Sequence, residues 1–295
     1  MDLISIRDTN KETVEDILKL AEDIADGKKK PKREGILATL FFEPSTRTKL
    51  SFQSAANRLG MKYVDFLPET SSLKKGESFL DTVRTVEGYA DALVIRHPAE
   101  GAARLAADAL KKPIVNGGDG GNQHPTQTLI DLFSVKRFKG KIKGLNVMLH
   151  GDLKHARAMR SFVYGLAMFG ADVTLSSPKG LEMDTNYLEE VKKKFGLKAT
   201  VTNKPDFSAA DVVYVCRIQA ERFADPVEAK RVSDEFMIRK EDLKDAKDDL
   251  VILHPLPKIN EIDPAIDLMP QAKYFEQAHN GVPLRMAVLD YVLSR

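Results

Sequence analysis

A single cysteine, Cys216, stands in a chain of 295 residues, and tryptophan is absent. One cysteine excludes an intramolecular disulfide and any cysteine-rich zinc site within the chain. Cys216 follows a strand-like run and reads as a small buried apolar residue rather than a catalytic thiol. No apolar stretch approaches the roughly 20 residues needed to span a bilayer. Met1 to Lys11 carries scattered charges and no signal-peptide core. The net charge is only +2, from 45 basic and 43 acidic residues, which gives no support for nucleic-acid or membrane binding as the main task. A G-x-x-x-x-G-K-[ST] motif is missing, which argues against a P-loop kinase, and no G-x-G-x-x-G follows a strand. No His, Asp or Glu group has metal-ligand spacing, so no bound metal is expected. The expected protein is soluble and cytoplasmic, in a reducing compartment.

What is present is an alternation. The length fits two ordinary domains, and 43% hydrophobic residues can fill two cores. Helical spacing runs over Thr13–Ala25, 46–59, 78–89, 100–110 and 125–137, with strand-like runs at 36–42, 63–66, 92–95 and 113–116. The basic run Lys28 to Arg33 reads as a solvated loop. The pattern then restarts, with strands at 146–150, 173–176, 212–215 and 250–253 and helices at 156–169 and 186–195. Such alternation implies an α/β fold of two domains, each a parallel sheet flanked by helices. Two glycines and three lysines in Lys139–Gly144 mark the boundary. Residues 1–138 form the first domain and 139–281 the second, and a final helix, 282–295, packs back on the first.

In open α/β sheets ligands sit beyond the C-terminal ends of the strands. Six strand ends here carry Arg, His or both. The run 36–42 leads into Glu43-Pro44-Ser45-Thr46-Arg47-Thr48 and a helix. Unpaired first-turn N–H groups, the helix dipole and a guanidinium fork suit a phosphate-sized anion. Arg96-His97 follows the third run, and a glycine-rich loop ending His124-Pro125-Thr126-Gln127 follows the fourth. In the second half the strand ends lead into Gly151-Asp152-Leu153-Lys154 with Arg157, into Arg217-Ile218-Gln219, and into His254-Pro255-Leu256-Pro257. Arg47 and Arg96 suit a phosphate, and Arg157 and Arg217 suit a dicarboxylate or an amino acid. The expected site is a cleft between the two domains.

These motifs resemble those of the carbamoyltransferases. Phe42 to Thr48 resembles the carbamoyl-phosphate signature, and His124-Pro125-Thr126-Gln127 the second motif. The second-half motifs resemble the aspartate branch, as do Ser71-Ser72-Leu73-Lys74-Lys75-Gly76-Glu77-Ser78 and Asn280-Gly281-Val282-Pro283-Leu284-Arg285-Met286. His155-Ala156 departs from a common Tyr-Gly, Lys258-Ile259-Asn260 departs from a common Arg-Val-Asp, and the Ser/Lys loop is one residue shorter than in some members.

The resemblance implies transfer of the carbamoyl group of carbamoyl phosphate to L-aspartate, a step of pyrimidine biosynthesis, without a cofactor. It implies that Ser45, Thr46, Arg47 and Thr48 hold the phosphate and that Arg96 bridges phosphate and carbonyl oxygen. His124 and Thr48 donate towards that oxygen, and Gln127 holds the carbamoyl NH2. Arg157, Arg217 and Gln219 bind the aspartate carboxylates, and carbonyls at Pro255 and Leu256 accept from its amine. His254 reads as stabilising its turn. Ser72 and Lys75 reach into a neighbouring chain's site, so the active unit is a homotrimer with shared sites. A separate zinc-containing regulatory chain is a possible partner. Glu43 is expected to hold a closed state through Arg157 or Arg222. Two alternatives stay open: an ornithine carbamoyltransferase, and a non-catalytic binding subunit of the same fold. The turn at 254–257 lacks the cysteine that the ornithine branch carries there.

Overall fold

A computed structural model describes residues 1–294. The chain divides into two compact units, Met1–Phe133 joined by the C-terminal segment from Asn280 on, and Ser134–His279. Among the described residues no helix is long and apolar enough to cross a membrane.

The first unit contains strands β1 (Ile36–Phe41), β2 (Lys62–Phe66), β3 (Ala92–His97) and β4 (Ile114–Asp119). All are parallel, in the order β2-β1-β3-β4. Helices α1 (Lys11–Ala25), α2 (Thr46–Leu59), α3 (Phe79–Glu87) and α4 (Ala102–Ala109) belong to it, and α5 (Pro125–Lys139) begins in it. β1, β3 and β4 are buried almost throughout, as expected for parallel strands covered on both faces. β2 is exposed along most of its length because it has a neighbour on one side only. A polar chain fixes α2 to the sheet. Gln53 Nε2 donates to Thr39 Oγ1 at 3.1 Å, Thr39 Oγ1 donates to Asp65 Oδ1 at 2.9 Å, and Lys49 pairs with Asp65 at 2.7 Å.

The second unit holds β5 (Asn146–His150), β6 (Asp172–Ser176), β7 (Lys198–Thr202), β8 (Val212–Val215) and β9 (Val251–Leu253), parallel in the order β7-β6-β5-β8-β9. Its helices include α6 (Arg157–Phe169), α7 (Thr185–Phe195) and α8 (Pro226–Glu235). The final helix, α9 (Tyr274–Leu293), starts eight residues before the sequence pattern places it, because its first turns carry Glu276, Gln277 and His279 rather than an apolar stripe. Both crossings between units fall inside helices, α5 and α9. Gly140 directly follows the last residue of α5. Arg33, the last residue of the basic run, is not simply solvated: its Nε donates to Asp290 on α9 at 2.7 Å.

Two elements have no counterpart in the sequence reading. β7 is an exposed edge strand with only Ala199 and Val201 as apolar residues, too weak a period-2 signal. α8 is polar nearly all round, with Val227 exposed. Its visible signal is local: Asp225 caps it and Pro226 opens it.

His150, at the end of β5, is 1% exposed. Its Nε2 donates to Phe236 O at 2.8 Å, and its Nδ1 lies 3.1 Å from Ser176 Oγ. Burial lowers its pKa to about 4. The unfolded chain takes up this proton near pH 6.5, the folded chain only near pH 4. Between those values the unfolded state binds more protons, so stability falls as pH drops, by about 3 kcal/mol in total. The expected result is that His150→Gln flattens this part of the pH-stability curve. Urea unfolding at pH 7, 5.5 and 4.5 checks it, and an unchanged slope counts against the assignment.

Candidate active site

Strand order sets where the site residues meet. In the first unit β1 runs out to β2 on one side while β3 lies on the other, which makes the gap between β1 and β3 a topological switch point. Glu43 to Thr48 follow β1 there, and Arg96 lies near the end of β3. In the second unit the switch lies between β5 and β8, whose ends carry Gly151 to Arg157 and Arg217 to Gln219.

Ser45 is the N-cap of α2, in extended backbone, and its side chain makes no capping hydrogen bond. By contrast Asn10, Ser78, Asp184 and Asp225 cap α1, α3, α7 and α8 with their side chains. α6 is also uncapped, because its N-cap is Ala156. The helices that begin beside Arg47 and at Arg157 thus offer first-turn N–H groups to an external anion. Ala156, a departure at the sequence level, has this consequence. Much of Arg47 is exposed, but shielding of its guanidinium from water draws its pKa down.

Thr48 is 5% exposed and His124 6%. Thr48 Oγ1 lies 3.5 Å from His124 Nε2, and Thr126 Oγ1 lies 3.5 Å from His124 Nδ1. His124 is delivered by a buried turn organised on Asp119. That carboxylate accepts from Asn116 Nδ2, Gln123 N, Gly101 N and Asn122 Nδ2, all within 3.0 Å. β4 carries one residue more than β3 between Ile95 and His97, a bulge containing Gly118 at φ 119°. Bulges re-aim side chains, and opposite this one Arg96 Nη1 donates to Gly117 O at 3.4 Å. Arg96 Nε pairs with Glu43 at 2.7 Å. Glu43 is thus engaged within its own unit: β1 and β3 are neighbours, and Phe41 is in register with Arg96. Gln127 Nε2 donates to Asp131 Oδ1 at 2.8 Å. Ser72 and Lys75 lie on an exposed helical turn, Ser72–Lys75, and join none of these pairings.

In the second unit Asp152 is fully buried. Its carboxylate accepts from His155 N at 3.0 Å, from His155 Nδ1 at 3.0 Å and from Gln219 N at 3.4 Å. It thereby ties the loop before Arg157 to the loop carrying Gln219. Arg217 forms a fork with Glu221, with Nη1 donating to Oε2 at 2.9 Å. Hydrogen bonding to Arg217 lowers the Glu221 pKa to about 2 and raises that of Arg217. Arg222 is exposed on the short helical turn after Gln219. Leu256 adopts φ 56°, unusual for a residue with a side chain. His254 holds it there: Leu256 N donates to His254 Nδ1 at 2.8 Å, and Nε2 donates to Glu261 at 2.7 Å. His254 does stabilise the turn that contains Pro255 and Leu256. Cys216 is buried, its Sγ 3.3 Å from Asp152 O, and burial pushes the thiol pKa well up, which fits a packing role.

The supporting acids Asp119, Asp131, Asp152, Glu221 and Glu261 were not legible as functional. Only spacing hinted at them, since each lies within seven residues of the side chain it orients.

Known proteins share this arrangement. Residues 1–137 match the model of the carbamoyl-phosphate-binding domain of aspartate/ornithine carbamoyltransferases, and residues 143–292 that of the aspartate/ornithine-binding domain. The chain is 48% identical to the aspartate carbamoyltransferase catalytic subunit of Thermococcus onnurineus over 99% of this chain and 97% of that one. The catalytic subunit of M. jannaschii aspartate transcarbamoylase superposes with a TM-score of 0.92 at 43% identity, covering 99% of this chain and 98% of that one. The Trypanosoma cruzi enzyme solved with carbamoyl phosphate and aspartate superposes with a TM-score of 0.89 at 32% identity, covering 98% and 94%. With both halves matched and the full length aligned, the chain belongs to the aspartate/ornithine carbamoyltransferase family.

Proposed function

We infer that this chain is an aspartate carbamoyltransferase. It moves the carbamoyl group of carbamoyl phosphate onto the amine of L-aspartate, giving N-carbamoyl-L-aspartate and phosphate. The observation that carries this reading is the pair of uncapped helix N-termini at sheet switch points: one carries Arg47 and Thr48, with His124 3.5 Å from Thr48, and the other opens at Arg157 after β5, whose neighbour β8 leads into Arg217 and Gln219.

The phosphate is held by Ser45, Thr46, Arg47 and Thr48, and Arg96 reaches both phosphate and carbonyl oxygen. Thr48 and His124 polarise that oxygen as the amine attacks. Fixed donors of this kind stabilise the developing oxyanion without reorganisation. Gln127 holds the carbamoyl NH2. Arg157, Arg217 and Gln219 orient the carboxylates of aspartate, and the Pro255 and Leu256 carbonyls accept from its amine. Holding the amine and the carbamoyl carbon in attack geometry accounts for much of the rate in such an acyl transfer.

A homotrimer with shared sites accounts for the exposed turn carrying Ser72 and Lys75. A receiving surface is supported by α2 and β2, where the exposed Leu50 and Tyr63 line a hollow together with Gln53 and Arg58. Closed cyclic symmetry would bury this surface and complete each site.

A colorimetric assay for ureido product, run with aspartate and with ornithine as acceptor, tests the reaction. Product with aspartate alone is expected. Product with ornithine, or tight binding of a bisubstrate analogue without turnover, would reverse the assignment. Sizing the active enzyme tests the trimer, and an active monomer would refute shared sites.

A further inference from the structure

The C-terminal motif around Arg285 has no part in the mechanism above, yet Arg285 is a charged residue in the core of the first unit. It is 3% exposed, on α9. Its guanidinium carbon lies 4.9 Å from the ring centre of Phe52, on the buried side of α2. Room for it exists because residue 281, one turn earlier, is glycine: a Cβ there would lie 2.6 Å from Arg285 Nη1. Its Nε is buried without a hydrogen-bond partner. Burial draws its pKa to about 9, the charge of Asp131 holds it up and that of Arg96 pushes it down. At neutral pH it is a cation, and a buried cation persists only when an opposite charge answers it. Asp131, fully buried on α5, supplies that charge. One turn earlier on the same helix, Gln127 Nε2 donates to Asp131 Oδ1 at 2.8 Å.

We propose that Arg285 is a positioning residue for the carbamoyl group, acting through Asp131 to fix which end of the Gln127 amide faces the substrate. An ionised carboxylate only accepts hydrogen bonds, whereas a carboxylic acid also donates one. A carboxylate away from water keeps its charge beside a cation and tends to lose it otherwise. With Arg285 in place, Asp131 compels Gln127 to turn its NH2 inward. The amide oxygen is then left to accept from the carbamoyl NH2. With a neutral group at 131 the amide is free to rotate and to present N–H to N–H, which is repulsive. The proposal deepens the function inferred above and rests on it.

The test uses the full chain. Arg285→Met keeps the length and the packing over Phe52 but removes the charge, and Asp131→Asn keeps the shape but can donate. Each is expected to raise KM for carbamoyl phosphate about tenfold at saturating aspartate. The KM for aspartate and the Kd of inorganic phosphate should stay within about threefold, because neither ligand touches Gln127. In a Gln127→Ala background Asp131→Asn should change the carbamoyl-phosphate KM by less than about twofold, since the group it orients is gone. An Asp131→Asn effect that persists at full size without Gln127 means fold support only and overturns the proposal. So does an unchanged carbamoyl-phosphate KM in either variant. If Arg285→Met fails to fold, the Asp131→Asn pair of backgrounds decides. Absence of turnover in the unaltered chain would instead reject the carbamoyl-transfer reading itself.

Discussion

Arg96→Ala should lower kcat by about a hundredfold to a thousandfold, the loss found when one preorganised oxyanion donor is removed. The expectation comes from where Arg96 sits. It leaves β3 opposite a bulge in β4, its side chain is 14% exposed, and it is paired with Glu43 and Gly117 O. A guanidinium held on two sides in a mostly buried position needs little reorganisation when charge develops on the carbonyl oxygen and the departing phosphate. Arg96→Lys should recover only part of the loss, because an ammonium is a point charge and cannot hold two oxygens as a planar fork does. The fold should also lose some stability, since the pair with Glu43 is largely shielded from water and its removal leaves the carboxylate without this partner. Initial rates of ureido formation at saturating substrates, with thermal unfolding alongside, measure both. A kcat within about tenfold of the parent would remove Arg96 from the reaction.

Gly151→Ala is expected to damage both stability and aspartate binding. Gly151 ends β5 at φ 124°, a region closed to residues with a Cβ. An added methyl would lie 2.1 Å from Cys216 O, a backbone atom at the end of neighbouring β8, and 3.1 Å from Cys216 Sγ. Backbone strain costs about 1–3 kcal/mol, and the overlap adds to it, so a total of about 3 kcal/mol or more is expected. At 2–4 °C per kcal/mol this lowers Tm by roughly 6–12 °C. The displaced strand ends carry Asp152, which joins His155 to Gln219. The KM for aspartate should therefore rise about tenfold or more in whatever folds, while phosphate binding in the first unit is spared. Calorimetric unfolding and aspartate saturation curves check this, and a parental Tm would show that the β5 and β8 ends can part without cost.

Several features of the fold were readable because they follow from local pattern. The strand Asn146–His150 and the helix Thr46–Leu59 coincide with their apolar runs and with Gly60 as a stop. Buried parallel strands leave continuous apolar runs, and the site residues fall directly after them. β7 and α8 were not readable, since an exposed edge strand and a polar helix bury too little to show a period.

The residue chemistry at each strand end was thus set by sequence alone: hydroxyls and arginine before α2, His124 with Gln127, and Arg157, Arg217 and Gln219. Strand order was not, because register and adjacency depend on which distant segments share a core. That order puts Arg96 beside Glu43, and Asp152 between two loops 67 residues apart. It also buries Arg285 over the Phe52 ring and within the field of Asp131, though neither is near it in the chain. Charges cost little to place on a solvated chain and much to place in a core. Only the packed structure decides which acid each buried base must answer.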